Sequence, residues 1–510
     1  MNHLPALSKD EGRPVLLVDG KPTLLFAGEA HNSSASSLTY MEEQVWPNVR
    51  GLHLNCLIVP VCWEFLEPAP GEFDFTLPDG LIAQARREGV KLVLLWFGLW
   101  KNGNSTYVPA WMKEDRETYF AMRTRQGREV DAISPLCQAG VDRDAAAFSA
   151  LMAHLRDTDL ERTVVMVQVE NEMGLLGDCR DFGPQAEEAY QREIPQEMAD
   201  LTGASGTWDQ AFGEDAPEKF MVYHYAKATE KIAAAGKREY PIPLYVNAWL
   251  EQYPWVPGTY PCGGPIARCV EQWKALAPSI DLFSPDIYVT DLEGVCREYT
   301  AHENPLFIPE ARPSMDSASN VFVAMGSYGA LGFSPFAIES VGVGEKVHIS
   351  AELMDELNIM IEAFDHYRAG EYLAESYALL RSMEPLLLKY RLTPRMKGFT
   401  RCERQTGALL PFEGYNLQIK YLPHRGESPK GGGLVIQLEK DEFLICGMNI
   451  EVTPLVKNND PGQVGLVSIT EGRYENGEWV PGRRLNGDEF HIKLGQHPSM
   501  VRVRLVRRDR

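Results

Sequence analysis

The sequence predicts a (β/α)8 TIM barrel followed by an all-β, sandwich-like domain, and three observations carry that prediction. Eight short apolar, β-rich runs recur along the first two thirds of the chain, each followed by a stretch with helical patterning. Those runs are apolar nearly throughout, as strands covered on both faces must be. Beyond Thr393 the character changes to short alternating runs broken by Gly, Pro, Asn and Asp turns. At 510 residues the chain is too long for one ordinary domain. A barrel of about 250 to 400 residues plus a smaller module is a natural division.

In chain order the expected barrel strands are 23–28, 54–60, 90–97, 163–169, 243–248, 280–287, 305–309 and 329–336. Helical patterns lie between them, for example over 78–88 and 217–235. Residues 350–391 read as helix, so the barrel with its trailing helices is expected over 1–392 and the all-β domain over 393–510. Within the latter, strands are expected at Leu417–Tyr421, Gly433–Leu438, Phe443–Met448 and Gln463–Ile469. Turns are expected at Lys430–Gly433 and Asn458–Pro461. The alternation of Val and Arg in 501–510 reads as an edge strand.

Charge narrows the partners. The net charge is −21, which argues against nucleic acid or an anionic membrane surface, because both select a basic face. No run of about 18 apolar residues is present to span a membrane. No basic region followed by an apolar run marks a secretory leader. Nine cysteines, scattered and odd in number, fit a reducing cytoplasm. Assembly into a homo-oligomer is left open.

In a barrel enzyme the chemistry sits where strands end, on the C-terminal face. The fourth strand ends Val167-Gln-Val-Glu-Asn-Glu-Met-Gly174 and the seventh Phe307-Ile-Pro-Glu-Ala-Arg312, which brings Asn171, Glu172 and Glu310 to the mouth. Two carboxyls on either side of a scissile bond, one protonated and one ionised, are what glycosidic cleavage needs. Glu172 is expected as general acid/base and Glu310 as nucleophile, with Arg312 keeping Glu310 ionised and Tyr288 donating to it. Asn171 is expected to bond the sugar 2-hydroxyl. Glu170 is expected to face away. Trp63, Trp96 and Trp249 are either packing or stacking platforms for sugar. Glu64 is a candidate for sugar hydroxyls, and His31 is either a core histidine or a ligand contact. Neither a metal nor a cofactor is expected, since only His31 of eleven histidines is well placed for a metal-dependent reaction.

Gln168-Val-Glu-Asn-Glu-Met-Gly174 resembles the acid/base segment of glycoside hydrolase family 35, the β-galactosidases. Trp63-Glu-Phe-Leu-Glu-Pro-Ala-Pro-Gly-Glu-Phe-Asp-Phe75 resembles a segment shared by families 35 and 42, and Gly28-Glu-Ala-His31 the Gly-x-x-His of the first strand. The third-strand segment Phe97–Met112 lacks the family's Gly-Pro-Tyr run, and Met173 stands where Tyr is frequent. The tail is similar to the small β module of a bacterial subgroup. The resemblance implies a retaining exo-acting enzyme that removes terminal β-galactosyl groups from galactosides or galactose-decorated oligosaccharides. Two alternatives stand beside it. One is another β-glycosidase of the same clan, acting on glucosyl, arabinosyl or glucosaminyl bonds. The other is a silent carbohydrate-binding barrel.

Overall fold

The computed structural model describes residues 3–508 except 104, 345–365, 424–427, 458–461 and 476. Eight parallel strands close into a barrel: β1 (Leu25–Glu29), β2 (Cys56–Cys62), β3 (Lys91–Lys101), β4 (Val164–Asn171), β5 (Leu244–Trp249), β6 (Leu282–Ile287), β7 (Ile308–Ala311) and β8 (Gly332–Pro335). Each falls on one of the eight apolar runs. Period-two alternation then sorts their side chains into two cores. Leu25, Ala27, Ile58, Val93, Leu95, Tyr245 and Phe307 fill the barrel interior. Leu24, Phe26, Val59, Leu92, Leu94 and Trp96 face outward against the helices. Full burial of each such side chain contributes roughly 1.5–3 kcal/mol. The helical patterns appear as Thr76–Glu88 and Ala216–Glu239.

The helical reading of 350–391 holds as Ala369–Ser382 and Glu384–Tyr390, while 350–365 lies outside the described residues. Next come two antiparallel sheets. The six-stranded one orders 396–400, 432–439, 442–448, 499–508, 463–475 and 478–485; the four-stranded one orders 407–411, 415–421, 450–456 and 492–494. Phe399, Leu417, Val435, Phe443, Val503 and Leu505 form the core between them. The turn expected at Asn458–Pro461 lies outside the described residues, and Gly432 and Gly433 already belong to a strand.

The tail corrects its expectation. Ser499–Arg508 is not an edge strand, for it pairs with both 442–448 and 463–475. Val501, Val503 and Leu505 point into the core, and Arg502 Nε meets Glu442 Oε1 at 2.9 Å. Alternation reports one buried face, which edge and interior strands share.

The six-stranded sheet lies on the barrel's outer helices, since Leu434, Ile436, Leu444 and Met448 share a core with them. Helix Ser317–Gly326, which follows β7, touches strand 396–400 glycine to glycine. A Cβ at Gly326 would meet Gly398 Cα at 2.8 Å, and one at Gly398 would meet Phe322 O at 2.3 Å. Ser327 Oγ donates to Gly398 O at 2.8 Å and accepts from its N–H at 2.9 Å. No helix among the described residues is long and apolar enough to cross a membrane.

Candidate active site

The site is built from the ends of β3 to β7. Strand β4 does not end as a regular strand: Glu170 and Glu172 both take positive φ, 62° and 44°. Simple alternation would put residues 170 and 172 on one side. The two left-handed residues, uncommon for side-chain-bearing positions, break it. Glu170 turns outward, where its carboxyl accepts the backbone N–H groups of Leu99 at 3.2 Å and Trp100 at 2.7 Å. Glu172 turns inward, its own N–H held by Asn247 Oδ1 at 2.8 Å.

Glu172, Asp286 and Glu310, from three different strand ends, each bring an oxygen within 4.8 Å of the others. Parallel pairing sets this up, because Trp249 is in register with Asp286, and Asp286 with Glu310. Three donors converge on Glu310: Tyr288 Oη at 2.8 Å, and the amides of Asn171 and Asn247, both at 3.4 Å. Asn247 also donates to Asp286 Oδ2 at 2.7 Å. Lys101 Nζ donates to Asn171 Oδ1 at 2.6 Å.

Burial dominates the electrostatics, because a desolvated carboxyl favours its neutral form. Burial first, and then the charge of Glu310, push the Glu172 carboxyl up to about 8, against the pull of Lys101 and a hydrogen bond from Asp286. Asp286 is raised well above the carboxylate range by burial and by the charges of Glu310, Glu172 and Glu29. Buried carboxyls held neutral beside one that accepts three donors are the split that acid/base work uses.

Residues 15–247 match the sequence profile of glycosyl hydrolases family 35. The first part of the barrel thus resembles that family. The matched segment carries Asn171, Glu172 and the first four strands, and ends within β5, before Glu310. Residues 373–496 match a domain of unknown function, DUF5597. Among curated proteins, nothing matches the chain. Its fold is similar to the crystal structure of a β-galactosidase from Bacillus circulans sp. alkalophilus, at 16% identity and a TM-score of 0.50, over 72% of this chain and 57% of that one. A β-galactosidase from Rahnella sp. R3 is similar at 15% identity and a TM-score of 0.49, over 72% and 57%. The chain thus spans a little over half the length of either protein.

Other residues singled out from the sequence are placed variously in the barrel. Trp96 faces the helices, fully buried, and its Nε1 donates to Asp144 Oδ1 at 2.7 Å. Trp63 is equally buried against it, with Nε1 on Glu67 Oε2 at 2.7 Å. Both are core residues, in line with the packing alternative of the two readings. Trp249 is buried at the end of β5. Glu64 pairs with Lys113 Nζ at 3.1 Å. His31 Nε2 lies 2.9 Å from Ser340 Oγ, and its ring sits edge-on to Phe336. Arg312 forms no ion pair with Glu310: β7 stops at Ala311, and Arg312 Nε is buried with no hydrogen-bond partner among the described residues. Lys101 is the cation beside the carboxyls instead.

Lys101, Glu29 and the carboxyl role of Asp286 were not singled out in the sequence. Strand β3 runs on past Gly98 through a register shift to reach Lys101, opposite Asn171. A side chain at Gly98 would collide with Asp144 Oδ2 at 2.4 Å and Glu170 Oε1 at 2.6 Å. Glu29 ends β1 with both oxygens buried and unbonded among the described residues; burial and then Glu310 raise it well above the carboxylate range. Three carboxyl oxygens are also a donor set for a hard divalent cation. The Lys101 ammonium, the two amides and the Tyr288 hydroxyl occupy the same space with hydrogen-bond donors, a lining that opposes a cation.

Proposed function

We propose that the chain is a retaining exo-acting β-galactosidase with Glu172 as acid/base and Glu310 as nucleophile. One observation carries the reading: an oxygen of Glu172 and one of Glu310 approach within 4.8 Å. Retaining enzymes hold their carboxyls about 5–5.5 Å apart, and inverting enzymes about 6.5–9.5 Å, to admit a water. Glu310 attacks the anomeric carbon while Glu172 gives its proton to the departing oxygen. Water then attacks the same carbon, Glu172 takes its proton, and the bond to Glu310 breaks. In this reading Asn171, which Lys101 orients, bonds the 2-hydroxyl, a contact that strengthens as the ring becomes cationic.

The galactosyl specificity follows the family resemblance. A cytoplasmic setting, in keeping with nine free cysteines, suits short oligosaccharides. A panel of nitrophenyl glycosides tests the sugar, with fastest release expected from the β-galactoside. NMR of the first product tests the mechanism: β-galactose is expected from a β-galactoside, and initial α-galactose overturns retention.

A further inference from the structure

We propose that Tyr253 and Trp255 form an aromatic platform for the sugar on the leaving side of the scissile bond. The inference rests on the reading of Glu172 as the acid. They are the two most exposed aromatic side chains among the described residues, at 73% and 63%, and their rings meet edge to face at 5.2 Å. Both lie in the loop after β5, on the catalytic face. Val256 beside them and Val289, just past Tyr288 on the adjacent strand's loop, are exposed as well.

Position selects the occupant. The group that protonates the leaving oxygen marks the side on which the leaving sugar emerges. The chain following Glu172 is bonded to the aromatic loop itself: Leu175 and Cys262 exchange both backbone hydrogen bonds at 2.9 Å, and Gly177 N–H donates to Gly258 O at 2.9 Å. The platform is therefore anchored to the acid's own segment. It is also held in shape. Trp255 takes φ 58°, rare for a side-chain-bearing residue, in a turn closed by its N–H on Gln252 O at 2.6 Å. Exposed aromatic faces on a carbohydrate site match the apolar C–H face of a pyranose. An alkyl leaving group offers no such face.

The test compares two substrates, methyl β-galactoside and a disaccharide with galactose β-linked to a second sugar, in the full-length protein. In Trp255→Ala and in Tyr253→Ala/Trp255→Ala, the ratio of kcat/KM on the disaccharide to that on the methyl galactoside should fall by about tenfold, mostly through KM. An unchanged ratio overturns the platform, whether or not both rates drop together. If the unsubstituted protein cleaves neither substrate, the hydrolase reading fails separately. Titration with the disaccharide, followed by tryptophan fluorescence, then decides the platform: tighter binding by the unsubstituted chain supports it, and equal affinity removes it.

Discussion

Lys101 Nζ lies 2.6 Å from Asn171 Oδ1, so the cation of the site reaches the carboxyls through the residue next to Glu172. It also lowers the titration of Glu172, Asp286 and Glu29. Lys101→Met should therefore do two things. Loss of the Asn171 contact should reduce kcat/KM by about tenfold or more, and the alkaline limb of the pH profile should move upward. A profile identical to that of the unsubstituted enzyme would separate Lys101 from the chemistry.

The acid must carry its proton when the glycosidic bond breaks. Glu172, raised to about 8, is protonated below that pH and ionised above it, so kcat/KM should decline as pH rises through about 8. Glu172→Gln should cost about 10²–10⁴-fold and flatten that limb. Persistence of the limb in the variant assigns it to another group.

The same shift bears on stability. Since the folded state binds the Glu172 proton more tightly than the unfolded chain, this contribution is complete below the ordinary value of 4.5 and is lost as pH rises to about 8. Glu172→Gln should thus raise the melting temperature at pH 8–9 relative to the parent, by roughly 2 °C or more. Equal melting curves there would mean that the carboxyl is not desolvated.

Glu310→Ala should abolish turnover of a β-galactoside. Azide, entering from the face that the carboxylate vacates, should restore it and yield the α-glycosyl azide. Full activity without azide would place the nucleophile elsewhere.

Trp96→Phe isolates a structural role. It strips Asp144, buried beside Glu170, of one donor, a loss of about 1–3 kcal/mol. The melting temperature should fall by a few degrees while KM stays within twofold. A large rise in KM would return Trp96 to the sugar site.

The barrel was legible because strands buried on both faces leave unbroken apolar runs, and the ends of those runs pointed to Asn171, Glu172 and Glu310. What escaped was local geometry. No sequence signal announces the left-handed residues that send Glu170 and Glu172 to opposite sides. Strand β3 hides Lys101 behind a register shift that lies beyond Trp96, whereas Leu92, Leu94 and Trp96 keep their parity and all face the helices. Arg312 stands only two places past Glu310 in sequence, but β7 ends at Ala311 between them and the two side chains form no ion pair.

The helix leaving the strand of Glu310 meets the β-sheet module where two bare backbones touch, at Gly326 and Gly398. A seam with no room for a methyl group accepts few strangers. A side chain at either position would push helix and strand apart, so the docking of the module on the barrel tolerates neither Gly326→Ala nor Gly398→Ala without a shift.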